Sequence, residues 1–179
     1  MSQIQLNFEE IRNHHLKEIS ELDKNRLPVI ILADGVNDVG NLAMIFRLAD
    51  ALRIKKIILF NLKDNFNFKL LKKKSRNTTE YVPYEIVYNI AEIKKIKNIN
   101  YFTAVEKTNK SVNYSEFIPK TPVCIIIGSE KFGISEELLN LVDVSVHLPM
   151  NGINTSINVA TAAAVVLYDF YHKIKLQKA

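Results

Sequence analysis

All five glycines of this 179-residue chain fall in three loops, and each loop follows an apolar stretch typical of a buried strand. Polar side chains accompany the loops. The first loop leads to Asn41, the second carries Glu130, and the third leads to Ser156 and Asn158. Glycine permits a positive φ and a close approach of backbone to ligand. Because ligands of open α/β sheets bind where the strands end, the three loops predict one pocket. The glycines are Gly35, Gly40, Gly128, Gly133 and Gly152.

Two polar residues near this pocket allow both a structural and a functional interpretation. Arg47 lies between Phe46 and Leu48 in a mostly apolar helical stretch. An arginine in such a setting usually interacts with a negative charge. That charge belongs either to Asp50 or another acid, in a salt bridge, or to an anionic ligand. Ser156 either contacts the ligand or caps the last helix.

Several familiar chemistries lack the residues that they need. The dinucleotide fingerprint Gly-x-Gly-x-x-Gly is absent, and in GSEKFGIS Ile134 stands where a P-loop requires lysine. No convincing Ser-His-Asp or Cys-His constellation can be assembled for hydrolysis. The four histidines and the single cysteine, Cys124, show no metal-ligand spacing, so we expect no metal.

Apolar stretches alternate with helical ones, which predicts an α/β domain with a parallel sheet and helices on both faces. We predict one domain over 1–179, divided into an N-terminal helical arm (1–27) and an α/β core (28–179). In the arm, Phe8, Ile11, His15, Ile19 and Leu22 form one face of a helix that ends before Pro28. The predicted strands are 29–33, 55–60, 84–89, 101–105, 123–127 and 143–148. The predicted helices are 65–74 and 90–97, with others from about Asn41, after an N-cap at Ser135, and from about Ser156 to Lys175.

The net charge of +5 is concentrated in one segment. Between Arg53 and Arg76 there are nine Lys or Arg residues and one acid, Asp64. Such a segment is either a surface that binds a polyanion or a solvated helix face. The sequence has no apolar run of membrane-spanning length and no signal-peptide pattern at its N-terminus, so we expect a cytoplasmic protein without a membrane partner.

Three stretches together resemble a known family. They are DVGNLAMIFRLADAL, IIIGSEKFGIS and LPMNGINTSINVATAAA, and they are similar to the three motifs of the SpoU (TrmH-like) branch of the SPOUT methyltransferases. The resemblance implies an enzyme that uses S-adenosylmethionine (SAM) to methylate a ribose 2′-hydroxyl of tRNA or rRNA. It also implies a deep trefoil knot in the C-terminal half of the core and a homodimer packed through terminal helices.

The same resemblance assigns roles to particular residues. Gly128, Leu148, Met150 and Ile157 are expected to line the SAM pocket, with Ala104 as a further candidate. The catalytic candidates are Asn41, Arg47, Glu130, Ser156 and Asn158. A guanidinium is always protonated, so we expect Arg47 to hold the target phosphate and stabilise a developing alkoxide rather than act as a base. Glu130, Ser156 and Asn158 would then orient Arg47 and the ribose.

The chain also departs from the family pattern. Val39 replaces a usual proline, Ala43-Met44 a usual Gly-Ala or Ser-Ala, and Ile157 a leucine, which leaves the subfamily open. Three alternatives remain at the level of sequence: a catalytically inactive SPOUT-like protein that only binds RNA, a SPOUT enzyme that methylates a base nitrogen, and a small-molecule nucleotide-binding protein. Asn41 and Arg47 argue against the second, because their helix belongs to the ribose-directed branch.

Overall fold

A computed structural model describes residues 7–17 and 24–177, and in this part of the chain seven strands form one parallel sheet. The strands are β1 Leu27–Asp34, β2 Ile54–Phe60, β3 Tyr84–Val87, β4 Tyr101–Val105, β5 Val112–Asn113, β6 Val123–Gly128 and β7 Val144–His147. Their order across the sheet is β3-β2-β1-β6-β4-β7-β5. Each neighbouring pair is parallel, as the sequence predicted. The sheet tapers from eight residues in β1 to four in β3 and two in β5 at its edges.

Six α-helices and one 3-10 turn accompany these strands within the described residues. The helices are α1 Phe8–Lys17, α2 Val39–Ala51, α3 Phe68–Lys74, α4 Ile90–Lys97, α5 Glu136–Leu139 and α6 Val159–Leu176, and the 3-10 turn is Thr78–Glu80. None of the described helices is long and apolar enough to cross a membrane.

Two apolar clusters, one on each face of the sheet, form the core. Alternate side chains of a strand point to opposite faces. Ile31 of β1 therefore joins the cluster that contains residues of α2, α3 and α6, whereas Leu32 joins the cluster that contains residues of α4 and α5. Every residue of β6 is buried because helices cover both faces. The predicted two-sided coverage is confirmed.

The boundaries of several elements differ from the prediction. Pro28 lies inside β1 rather than before it, next to an irregularity in the pairing of β1 with β2 between Leu27 and Ile30. A strand tolerates proline near its first residue or at a bulge, where the missing N–H matters least. The third predicted strand ends at Val87 because Asn89 already caps α4 through its side chain. The short strand β5 was not predicted.

The N-terminal arm is only partly described. A helix is confirmed from Phe8 to Lys17, but Ile19 and Leu22 lie outside the described residues. Ile11 is 39% exposed and His15 is exposed as well, so this part of the predicted apolar face is not buried. The division into arm and core stays a prediction.

Candidate active site

A chain of three polar side chains joins the three sequence motifs at the carboxyl edge of the sheet. Asn41, in the first turn of α2, donates from Nδ2 to Oε1 of Glu130, in the loop after β6. Asn158, which precedes α6, donates from Nδ2 to Oδ1 of Asn41 at 2.9 Å. Glu130 and Asn158 lie 89 and 117 residues from Asn41 in the chain, so only the fold brings the three together. The positive N-terminal ends of α2 and α6 favour a carboxylate such as Glu130 beside them.

Capping side chains fix both of these helix starts, and of the two interpretations of Ser156 the cap is not observed. Asp38, not Asn41, caps α2: its side chain accepts from the Asn41 amide at 2.8 Å. Asn158, not Ser156, caps α6: its Oδ1 accepts from the amides of Ala160 at 3.0 Å and Thr161 at 3.2 Å. Ser156 is exposed and lines the neighbouring cleft. Because Asn158 supplies the cap of α6, Ser156 keeps its side chain available to a ligand, whereas the Asn41 side chain is engaged by Glu130 and Asn158.

The loop that carries Glu130 is a tight backbone hairpin. The Ser129 amide donates to the Gly133 carbonyl at 3.0 Å, and the Gly133 amide donates to the Ser129 carbonyl at 2.9 Å. A Cβ added at Gly128 would lie 2.1 Å from the carbonyl carbon of Gly133, and Gly133 itself has a φ of +67°. Both positions therefore require glycine.

A cleft of about 450 Å³ opens beside this hairpin. A volume of this size is typical of small-molecule and cofactor sites. Of the predicted site residues, the cleft brings together Gly128, Glu130, Leu148, Met150, Ser156, Ile157 and Asn158. Ala104 is fully buried in the core and does not line the cleft. The residues after it do, namely Val105, Glu106 and Lys107.

His147 at the end of β7 also lines the cleft, and sequence analysis did not single it out. Its Nδ1 is buried and has no hydrogen-bond partner among the described residues. Buried polar atoms are normally satisfied, so Nδ1 offers a hydrogen bond to a ligand. The only sequence signal was its position at the end of a strand next to Pro149.

Arg47 lies outside the chain of polar side chains. It is exposed on α2, and its Nη1 is 3.8 Å from Sδ of Met44. Six residues of helix place it about 9 Å from Asn41 along the axis. Arg47 makes no ion pair with a described residue, so the salt bridge to Asp50 is not formed. Burial raises the pKa of Asp50, and the charges of Arg26 and His15 oppose that rise.

Asp34 was not among the predicted site residues, but it holds together three loops beside the cleft. It is 3% exposed at the end of β1. Its Oδ1 accepts from Nδ2 of Asn61 at 2.7 Å, and its Oδ2 accepts from the amide of Ser135 at 2.7 Å. One buried carboxylate thus ties together the loops that follow β1, β2 and β6.

The basic segment does not form a single patch. Arg53, Lys55 and Lys56 lie at the amino end of β2, roughly 20 Å along that strand from its carboxyl end. Lys56 pairs with Glu85 at 2.7 Å. Lys72 pairs with Glu80, and this hydrogen bond raises the pKa of Lys72. The cations after the strand, such as Lys63 and Lys74, are the ones near the carboxyl edge: Lys63 lies beside Asn37 and Asn61, and Lys74 lies close to Gly40.

These features define an α/β protein with a cleft of cofactor size at the carboxyl edge of a parallel sheet, beside a glycine hairpin and the capped start of α6. Residues 28–168 match the model of the SpoU rRNA Methylase family. The chain belongs to that family.

The relatives agree with this assignment. The chain is 30% identical over 155 residues to a putative TrmH family tRNA/rRNA methyltransferase of Staphylococcus haemolyticus, covering 86% of this chain and 62% of the relative. It therefore spans about three fifths of that relative's length. The A. aeolicus TrmH/SpoU tRNA modifying enzyme superposes with a TM-score of 0.81 at 24% identity, covering 94% of this chain and 86% of that one. The Streptomyces viridochromogenes methyltransferase AviRb, solved with AdoMet, gives 0.73 at 24% identity, covering 82% and 57%. At these identities the two structures show a shared fold.

Proposed function

We infer that this chain is an RNA methyltransferase that transfers a methyl group from SAM to a ribose 2′-hydroxyl of tRNA or rRNA. The observation that carries the proposal is the hydrogen-bonded chain Glu130–Asn41–Asn158 at a cleft of cofactor size. Family membership, and the AdoMet-bound AviRb of the same fold, support the choice of cofactor.

The residues of the cleft suit SAM. Leu148, Met150 and Ile157 offer apolar surface to an adenine ring, and Gly128 lines the cleft beside them. Nδ1 of His147 needs a polar partner. The Glu106 carboxylate, whose Oε2 would lie 2.8 Å from a Cβ on Gly133, suits a cationic ligand. Bound SAM supplies a methyl group activated by its sulfonium.

The protein's contribution is positioning and electrostatics. Glu130 has one oxygen engaged by Asn41, and its other oxygen accepts a hydrogen bond from the ribose hydroxyl. Asn158 keeps Asn41 in the orientation that holds Glu130. Ser156 contacts the ribose at the mouth of the cleft, and Arg47 holds the phosphate of the same extended nucleotide. Guanidinium–phosphate hydrogen bonds are strong and charge-assisted.

The test measures SAM binding and methyl transfer separately. SAM should raise the melting temperature, because a ligand that binds the folded state stabilises it. Labelled methyl groups should enter RNA from a strain that lacks the gene, at positions found by ribose-methylation mapping. Arg47→Ala should lower transfer by about 10²–10³-fold while SAM still stabilises the variant. Lys55→Ala removes an exposed cation at the opposite edge of the sheet and should change neither quantity.

The second candidate is a SPOUT-like protein that only binds RNA. The position of Arg47 outside the cleft favours this alternative, because Arg47 contacts no other proposed catalytic residue. It predicts RNA binding with no stabilisation by SAM and no methyl incorporation. Wild-type turnover by Arg47→Ala would instead remove the role proposed for Arg47.

We also propose the knot and the dimer that the family resemblance implies. Strand β7 lies between β4 and β5 in the sheet, and this order supports the proposal that the chain after β6 threads through segment 106–122. When the unfolded protein is pulled from both ends, a knotted chain should reach a shorter end-to-end length than the ~3.3–3.6 Å per residue of an unknotted chain. Exposed Tyr168 and Leu176 on α6, the C-terminal helix, support a homodimer packed through terminal helices. Light scattering should give twice the mass of 20.5 kDa.

The remaining proposals concern the domain organisation and the cellular location of the protein. We propose one domain, with the arm and the RNA-contacting cations next to a single core. The protein would work in the cytoplasm, where tRNA and rRNA are found. Limited proteolysis tests the first point: it should remove the arm and leave a core that still binds SAM.

A further inference from the structure

We propose that a second cavity, across the Ser129–Gly133 hairpin from the SAM cleft, receives a base of the RNA substrate stacked on Phe132. The inference rests on the proposed function and adds to it the residues that select and place the target nucleotide. The cavity measures about 680 Å³ and lies at the ends of β1, β2 and β6.

The two cavities share one wall. Ser129, Glu130 and Gly133 line both the SAM cleft and the second cavity. A methyl donor on one side and an acceptor on the other would therefore meet at the edge of this hairpin. Glu130 lies on that hairpin, and Asn41 holds its carboxylate. A base in the second cavity places its own ribose next to Glu130.

The floor of the second cavity is held in place by its own hydrogen bonds. Asp34 anchors Asn61 and Ser135, as described above. Asn37 donates to the Gly35 carbonyl at 2.8 Å and accepts from the Lys63 amide at 2.8 Å. The second of these bonds joins the loop after β1 to the loop after β2. A site already in its binding conformation loses less free energy to ordering when it binds.

Phe132 has the exposure and the setting of a stacking platform. Its side chain is 80% exposed, so it contributes little to the core. Its amide donates to Oγ of Ser129 at 3.1 Å, which fixes the tip of the hairpin. Nζ of Lys131 lies 5.1 Å from the ring centroid. One exposed aromatic residue needs no explanation by itself. Phe132, however, stands on the wall between the two cavities and beside two cations, Lys131 and Lys63.

Nucleic-acid chemistry fits this combination. Unpaired RNA bases stack on exposed aromatic side chains, while lysines contact the phosphates. The amides of Asn37 and Asn61 and the ammonium of Lys63 face the same cavity and can contact the edge of a base. The alternative occupant, a free mononucleotide, would use the same groups but needs no RNA chain.

The chain contains no tryptophan, which permits a direct test. Phe132→Trp introduces a single tryptophan, which can be excited selectively beside the seven tyrosines and can still stack. RNA from a strain that lacks the gene should quench its fluorescence, and methyl transfer should persist. Phe132→Ala should weaken RNA binding and raise the KM for RNA by roughly 5- to 100-fold, the range measured when a stacking aromatic is removed. Stabilisation by SAM should remain at the wild-type level in both variants.

Ile99 supplies the matched control. It is 70% exposed and precedes β4 at the opposite edge of the sheet. Ile99→Trp should not be quenched, and Ile99→Ala should leave the KM unchanged. An unquenched Phe132→Trp, or a wild-type KM in Phe132→Ala, would overturn the proposal. Quenching by mononucleotides as strong as by RNA would also overturn it. Quenching by RNA without any methyl transfer would keep the base site and reject the proposed enzyme.

Discussion

The Asn158 side chain uses both ends of its amide. Its oxygen accepts from two amides in the first turn of α6, and its nitrogen donates to Asn41. The first contact supports the helix and the second supports the site. A single amide group thus couples the start of the last helix to the position of Glu130.

Substitutions at Asn158 should separate these two tasks. Asn158→Ala removes both contacts and should lower the free energy of unfolding by about 1 kcal/mol, the usual cost of a lost N-cap. Asn158→Ser keeps a capping oxygen but loses the amide nitrogen that reaches Asn41. It should retain most of the stability and still lose methyl transfer. Urea unfolding and initial rates measure the two effects, and a wild-type rate in Asn158→Ser would show that the bond to Asn41 has no role in turnover.

Among the larger elements, the Ser129–Gly133 hairpin depends most on backbone conformation. It turns back on β6 so closely that no side chain fits at Gly128. The turn brings Glu130 towards α2 and separates the two cavities. The shape of the site therefore depends on the absence of a Cβ atom.

Two glycine substitutions test this dependence. Gly128→Ala would place a methyl group 2.1 Å from backbone and should cost at least about 1–3 kcal/mol, with loss of SAM binding. Gly152→Ala is the control, because nothing lies within 4 Å of a Cβ built there. It should leave the melting temperature and SAM binding unchanged. Equal behaviour of the two variants would contradict the close approach of the hairpin to β6.

The central elements could be predicted from sequence because their patterns are local. The apolar stretch before Gly128 predicted β6, and strands buried on both faces leave this pattern. Helix starts were less certain because Asp38 and Asn41, and likewise Ser156 and Asn158, can all act as caps. The local sequence alone does not show which of two nearby residues caps the helix. Two-residue β5 is too short to show any periodicity.

The site was predictable by resemblance and only partly by pattern. The three glycine loops indicated one pocket at one edge. The hydrogen bonds of Asn41 to Glu130 and Asn158 join the three loops there, but only the second and third loops line the cleft. The role of Asp34 could not be predicted, because its partners lie 27 and 101 residues away in the chain. Likewise, the basic segment looked continuous in sequence, but strand β2 carries its two halves to opposite edges of the sheet.

At the scale of the whole molecule, Cys124 reports on the integrity of the fold. It is fully buried in β6, and burial raises the pKa of its thiol despite the charges of Lys56 and Lys97. The thiolate is the reactive form, and a free thiol ionises near pH ~8.5. Cys124 therefore stays protonated and shielded in the folded protein.

Thiol labelling should follow global unfolding. At pH 8.5, a disulfide reagent should react with native protein only as fast as the chain unfolds, and at once in urea. The free energy of unfolding should also fall as the pH rises above ~8.5, because the unfolded thiol then loses a proton that the folded one keeps. Lys55→Cys adds an exposed thiol at the start of β2 that should react immediately. Rapid reaction of Cys124 in native protein would mean that the centre of the sheet opens locally.

The taper of the sheet makes edge-to-edge aggregation at high protein concentration less favourable. Free strand edges recruit strands of other chains, and long, flat edges do so most readily. Here the longest apolar strands lie inside, whereas four-residue β3 and two-residue β5 form the borders. Few unpaired amides and carbonyls remain to template fibrils, even though 47% of the residues are hydrophobic.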